Sequence, residues 1–311
     1  MIDLIKIYFE NKEEMEDCVK SRKFRGLHSK YFYNTDTLTY PIRAELDNLK
    51  LNVTDKSASI ENSIHKYFNS VFGKGVQNYN DFSYCDFIQA CKDLEAKLGL
   101  SFEGTYLTRF EFGFNIKLDF DPTDFIEDNV LMYNYNAPCY DPKYKRREKI
   151  IKFSLREYEI KIYNKSLQYG LKEDDANILR VEVKYKSRRL IQKMGIYNIK
   201  DLYNKSVLNN VYNDFMNKIE KIIIVDDYKG SLKMDAKEKD FFIKCTNPNY
   251  WIDLRKNYSK NVKNLHKKRF LKLVDKYHLS KKRNYVLEKF KSKFEELMFC
   301  SNNYFENQLI A

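Results

Sequence analysis

The sequence has no C-x-x-C pair; Cys18, Cys85, Cys91, Cys139, Cys245 and Cys300 are scattered singly. That spacing supports neither a zinc ribbon nor a disulfide framework and fits a reducing cytosol. Histidine is equally sparse. His28, His65, His266 and His278 form no H-x-H pair and no H-E-x-x-H, which argues against a zinc site and a histidine-pair nuclease centre. Neither G-x-x-x-x-G-K-[ST] nor G-x-G-x-x-G occurs, so no nucleotide cofactor is expected. The first residues lack a signal-peptide layout, and no apolar run nears the roughly 20 residues of a membrane helix. A soluble, cytoplasmic protein without a membrane partner is the expectation. Internal repeats and long low-complexity segments are also missing.

What is present is an ordinary core and an excess of positive charge. With 43% hydrophobic residues over 311 positions, one to three packed domains are expected. Lys and Arg number 56 against 44 Asp and Glu, a formal charge of +12, which favours polyanionic partners. The surplus is concentrated. Between Arg255 and Lys289, 13 Lys and Arg stand against only Asp275 and Glu288. Tyr258, Phe270, Tyr277 and Tyr285 are interleaved there, so Lys263, Lys267, Lys268, Arg269, Lys281, Lys282 and Arg283 are candidate DNA contacts. A solvated helix face is the plainer reading of the same residues. KSRKFRGLHSKYFY (20–33) and KYKRREK (143–149) are second-rank candidates for gripping a strand.

Periodicity sets the rest. In Lys149–Lys186, Ile151, Phe153 and Leu155 alternate with polar residues, and the alternation resumes out of phase with Tyr158, Ile160 and Ile162. This predicts a hairpin. Leu179, Val181, Val183 and Tyr185 predict a further strand, with Arg180, Glu182, Lys184 and Lys186 on its polar face. Tyr163 falls on the polar side with Glu159, Lys161 and Lys165. Thr105–Leu118 reads as another strand, with Phe110, Phe112, Phe114 and Ile116 on one face and Arg109, Glu111, Gly113 and Asn115 on the other. A glycine there leaves room for a ligand or a close backbone.

Met1–Phe9 and Leu49–Val53 read as strands. Helices are predicted over Ser59–Phe72, Asp81–Gly99, Ser187–Met194, Asp201–Ile223, Asn257–His278 and Lys281–Met298. Residues 121–149 read as irregular and 226–233 as a hinge. The fold class is therefore α+β, a mainly antiparallel sheet with helices packed on one face, plus a basic helical C-terminal region. The expected division is 1–225 and 226–311.

TRFEFGFNI, then EIKIYNKSLQ, then LRVEVKYK, in that order and spacing, resembles the rolling-circle replication initiators of small plasmids and the related filamentous-phage type. GIYNIKDLYN, which follows, is similar to a segment of the phage-type members. The likeness covers Asp81 to Tyr203. It implies a DNA endonuclease and strand transferase with Tyr163 as nucleophile, and Glu111 and Glu182 as ligands of Mg or Mn. Here Glu111 replaces the more usual Asp, and Asn115 stands at the second acidic position as a neutral oxygen ligand. Lys165 or Arg180 would favour the phenolate. Arg109, Lys161 and Lys184 become candidate DNA contacts on the sheet. The resemblance further implies origin DNA as substrate, with a host helicase and DNA polymerase as partners; a homodimer is one candidate assembly.

Two rivals remain. One is a non-enzymatic nucleic-acid-binding protein, a repressor or packaging factor, in which Glu111 and Glu182 merely form cross-strand ion pairs with Arg109, Arg180 or Lys184. The other is a plasmid-transfer relaxase of similar chemistry. Convergence of Glu111, Glu182 and Tyr163 is the discriminating observation.

Overall fold

The computed structural model describes residues 1–21, 24–32, 37–140, 150–172, 176–226 and 234–299. The first half of the chain runs β1 (Ile2–Phe9), α1 (Lys12–Ser21), β2 (Arg25–Phe32), β3 (Thr37–Leu46), β4 (Leu49–Val53), β5 (Ala58–Ser63), α2 (Ile64–Val71), α3 (Tyr84–Leu98), β6 (Thr105–Lys117), α4 (Pro122–Asp128), β7 (Val130–Tyr133) and β8 (Cys139–Tyr140). Then follow β9 (Ile151–Ser154), β10 (Tyr158–Asn164), α5 (Lys165–Tyr169), β11 (Ile178–Tyr185), α6 (Arg188–Lys193), α7 (Lys205–Ile219), β12 (Ile222–Ile224), α8 (Ala236–Thr246), α9 (Pro248–Asn257), α10 (Lys260–Lys276) and α11 (Lys281–Met298).

Ten strands make one sheet in the order β2-β3-β4-β5-β1-β6-β11-β10-β9-β8. Its pairings are antiparallel throughout. The protein is therefore α+β, with a mainly antiparallel sheet. Phe110, Phe112, Phe114 and Ile116 of β6 alternate into the core. Phe112 and Phe114 both meet Phe215 of α7, and Phe114 meets Phe290 and Phe294 of α11. Helix α3 joins the same layer through Phe87, Cys91, Leu94 and Leu98. Ser83 and Asp86 form its capping box and Gly99 ends it in the left-handed region, the αL stop that glycine adopts without a Cβ penalty.

Three expectations fail locally. Ser59–Phe72 is not one helix: β5 runs to Ser63, whose side chain caps the first turn of α2 by accepting from the Lys66 amide. Pairing with β1 and β4 on both sides overrides the helical spacing of Ile60. Residues 121–149 are not wholly irregular. Asp121 caps α4, with Pro122 at its first position, where the missing N–H costs nothing, and β7 follows. Asp201–Ile223 is divided: a 3-10 turn spans Ile199–Tyr203, Asn204 caps α7, and the β-branched Ile222–Ile224 becomes β12, paired with β7. The basic segment 143–149 and most of the expected hinge, 227–233, lie outside the described residues.

The expected boundary after 225 does not follow the packing. Helices α8, α9 and α10 gather a small core around Phe242, Trp251 and Phe270, which also takes in Leu131, Met132 and Val225. Helix α11 returns to the main core through Val286, Phe290, Phe294 and Leu297. The excursion begins and ends at one place. The Asp226 amide donates to the Leu279 carbonyl at 2.9 Å, and the Asp226 carboxylate accepts from the Lys281 amide at 2.6 Å.

Candidate active site on the polar face of the sheet

The polar face of β6, β11 and β10 is a grid set by register. Lys184, Glu182 and Arg180 of β11 stand opposite Glu111, Gly113 and Asn115 of β6. On the other side they stand opposite Glu159, Lys161 and Tyr163 of β10. Directly opposed residues are near enough to interact, and here they do. Lys184 Nζ lies 3.2 Å from the opposed Glu111 Oε1, and along β11 itself Arg180 Nε donates to Glu182 Oε2 at 2.9 Å. Lys161 Nζ bridges the two acids, 3.0 Å from Glu182 Oε1 and 3.2 Å from Glu111 Oε1. The Tyr163 hydroxyl donates to Glu182 Oε2 at 3.4 Å.

Gly113 serves the close backbone rather than a ligand. A Cβ there would lie 2.6 Å from Glu182 Cα and closer still to the Val181 carbonyl oxygen. The glycine thus lets β11 press against β6 where Glu182 projects.

The third acid of the group is Asp3, which sequence reasoning missed. Carboxylate oxygens of Asp3, Glu111 and Glu182 lie within 4.8 Å of one another, and all three residues are buried. By simple alternation Asp3 shares the face of Ile5, Ile7 and Phe9, which point into the core. A register shift between Ile2 and Ile5 in the pairing with β6 breaks that phase, as bulges do. Asp3 then meets Arg180 Nη2 at 3.3 Å, Asn78 Nδ2 at 2.6 Å and the Ser63 hydroxyl. Nothing in the residue pattern announces the shift.

Two other expected site residues have further partners. Asn115 is already engaged on both ends of its amide. Its Oδ1 accepts from Arg180 Nη1 at 3.2 Å, and its Nδ2 donates to the carbonyls of Tyr79 and Asn78 at 3.0 and 3.1 Å. Lys165 is not on a strand face. Asn164 ends β10 by capping α5, and Lys165, the first residue of that helix, is 2% exposed. Its Nζ donates to Asn78 Oδ1 at 2.8 Å and lies 5.5 Å from the centre of the Tyr163 ring. Asn78, which also accepts from the Tyr169 hydroxyl at 2.6 Å, is a second residue the sequence did not reveal.

Burial dominates the titration of this cluster. It pushes the Tyr163 phenol well above its ordinary range; Glu182 adds to the rise and Arg180 opposes it. Arg180 does favour the phenolate, as expected, but burial and Glu182 outweigh it. Burial and the Glu182 charge raise Glu111. Burial also works to raise Glu182, but Lys161 and Arg180 hold it below the usual carboxylate range. Lys165 is lowered to about 8 by burial and by Arg180.

The remaining candidate DNA contacts are dispersed. Arg109 pairs with Glu61 at 3.0 Å rather than with the site acids. On α10, Lys263 is partly exposed and Lys268 is exposed. Lys267 lies over the Tyr135 ring and Arg269 over the Phe241 ring, each 4.1 Å from the centre. Lys281, Lys282 and Arg283 crowd the first turn of α11, where cations oppose the helix dipole. The Asp226 carboxylate offsets them by accepting from the Lys281 and Lys282 amides. Lys282 Nζ reaches Asn129 Oδ1 at 2.9 Å and Arg283 reaches the Glu220 carbonyl at 3.1 Å, so both side chains turn back to the body.

No family model matches the chain, and no curated protein matches it. Among solved structures it is similar to a rolling circle replication initiator protein from Geobacillus stearothermophilus. The TM-score is 0.40 and the identity 10%, over 77% of this chain and 90% of that one. At that score the likeness carries no argument about chemistry, which rests on the residues. No described helix is long and apolar enough to cross a membrane.

The donor set suits a hard divalent cation. Three buried carboxylates offer oxygen ligands without sulfur or imidazole, the preference of Mg and Mn. Asp3, Glu111 and Glu182 would hold it.

Proposed function

We propose that the protein is a rolling-circle replication initiator that nicks and rejoins one strand of origin DNA through Tyr163. One observation carries this reading: Tyr163 and Glu182 meet at 3.4 Å, and one ammonium, that of Lys161, bridges Glu182 to Glu111. The two oxygens of Glu182 face different tasks. Oε2 accepts from Tyr163 and Arg180, whereas Oε1 faces Lys161 beside Glu111.

In the reaction, Tyr163 Oη attacks the scissile phosphorus and its proton passes to Glu182 Oε2. The P–O3′ bond breaks, and the departing 3′-oxygen takes up a proton. The products are a 5′-phosphotyrosyl link and a 3′-hydroxyl able to prime a polymerase. The reverse transesterification rejoins the strand, and because the link conserves the phosphodiester bond no nucleotide is consumed. Bound Mg or Mn would neutralise the phosphate and polarise it. Arg180 fixes Glu182 and Asp3 in place. A host helicase would open the duplex, since the sequence has no nucleotide-binding loop.

A second reading, a non-catalytic DNA-binding protein, is favoured by one fact: each site acid already has a cationic partner, and Tyr163 is only 7% exposed. The experiment that separates them incubates the full chain with supercoiled DNA bearing the replicon's origin and Mg or Mn. Nicked circles with protein attached support the initiator. Tight binding with no nick and no adduct in either metal supports the second reading.

A further inference from the structure

Lys161 stands where a sheet-face DNA contact was expected, yet its ammonium points inward. It lies 3.0 Å from Glu182 and 3.2 Å from Glu111. Of the three site acids, Arg180 pairs with Glu182 and Asp3, and Lys184 pairs with Glu111. Among these cations Lys161 alone bridges Glu111 and Glu182. Its side chain keeps 19% exposure, against 3% for Arg180. The flexible four-carbon stem can therefore carry the charge out to water, while Arg180 is locked.

We propose that the Lys161 ammonium is a built-in occupant of the divalent-cation position, and that it must swing out for Mg or Mn to enter between Glu111 and Glu182. This rests on the metal reading given above. The charges support it. Asp3, Glu111 and Glu182 are already paired with Lys161, Lys184 and Arg180, and Lys165 lies one residue away from Asp3 through Asn78. A divalent ion added beside these cations would overfill the site, and expulsion of one ammonium relieves that repulsion at close range. The displaced Lys161 emerges on the face where the DNA phosphate must lie. Metal entry and presentation of a cation to the DNA thus become one movement.

The test is Mn²⁺ binding to the full-length protein by titration calorimetry, with no DNA, for wild type, Lys161→Gln and Lys184→Gln. Removing a competing occupant should tighten Mn²⁺ binding about tenfold or more in Lys161→Gln, whereas Lys184→Gln should move it much less. Equal affinity in wild type and Lys161→Gln overturns the proposal, as does equal tightening by both variants, which would be a general charge effect. Absence of Mn²⁺ binding in all three overturns the metal reading along with it. A second measurement needs no variant, in case Lys161→Gln does not fold. Acylation of Lys161 by an amine-reactive reagent, read by mass spectrometry, should rise when wild-type protein is saturated with Mn²⁺. Unchanged labelling at saturation overturns the proposal.

Discussion

Tyr163 and His65 are both buried and both close to Asp3's network, but they make different demands on it. Tyr163 must lose a proton to act. With its phenol raised by burial, the work falls on Glu182, the acceptor it already meets. Tyr163→Phe keeps the packed ring and removes the attacking oxygen, so adduct formation should vanish while DNA binding persists. Tyr158→Phe, on the opposite strand face, should cleave normally. Gel analysis of protein–DNA adducts reads both, and a wild-type adduct level in Tyr163→Phe would remove the tyrosine from the mechanism. His65 must stay neutral. Burial lowers it from 6.5 to about 3, its Nε2 lies 2.8 Å from Asn80 Oδ1, and its ring stacks on Phe82. Between those two pH values the unfolded chain binds the proton and the folded one does not. Stability is therefore full above about 6.5 and falls as pH drops, by up to about 1.4 kcal/mol per pH unit. Glu111, raised in the fold, opposes this slope, so the comparison is differential. His65→Gln should show a shallower loss of denaturation midpoint from pH 6.5 to 5 than wild type, and parallel curves would refute the assignment.

Strand alternation makes most of the grid on β6, β11 and β10 legible, because a two-residue period fixes which side chains share a face. That is why Glu111, Glu182, Arg180, Lys161 and Tyr163 come together from the sequence, and why cross-strand pairing of Arg180 and Lys184 stands as the plainer alternative. The register is not legible, so the sequence points Lys161 at DNA rather than at the acids. Asp3 is hidden by a bulge, Lys165 by a cap that turns strand into helix, and Asn78 by its position in a loop remote in sequence from both. Gly113 ties the grid to the fold. Its Cα faces the backbone of β11 so closely that Gly113→Ala must part β6 from β11 or tilt Glu182. Strain of this kind destabilises by about 1–3 kcal/mol. Chemical denaturation should register that loss, and cleavage should fall more than stability alone explains, because Glu182 moves with its strand. Unchanged stability in Gly113→Ala would mean that the strands separate without strain.

At the scale of the molecule, the basic helices divide into two kinds. Helix α11 seals the sheet: Phe290 and Phe294 pack on Phe114, and Lys293 pairs with Asp81 at 3.0 Å. Cutting the chain near Asp226 would strip this cover and expose the phenylalanine face, so a fragment ending there should not fold. Helices α8 to α10 form an excursion whose two ends meet at Asp226, Leu279 and Lys281. Removing 227–279 and joining the ends through a short flexible linker should leave the sheet, α11 and Tyr163 in place, at the expense of the cover over Leu131 and Met132. The charge that goes with it is the run from Arg255 to Lys276. Each phosphate that this run neutralises in the intact protein should add about 0.9 to the steepness of log K against log[salt] for duplex DNA. The shortened protein should therefore bind duplex weakly, with a flatter salt dependence, yet still cleave a single-stranded origin oligonucleotide. Circular dichroism establishes that it folds. A folded variant with the full salt slope would place the DNA grip on the sheet face or on the first turn of α11, and would leave α10 as a solvated surface.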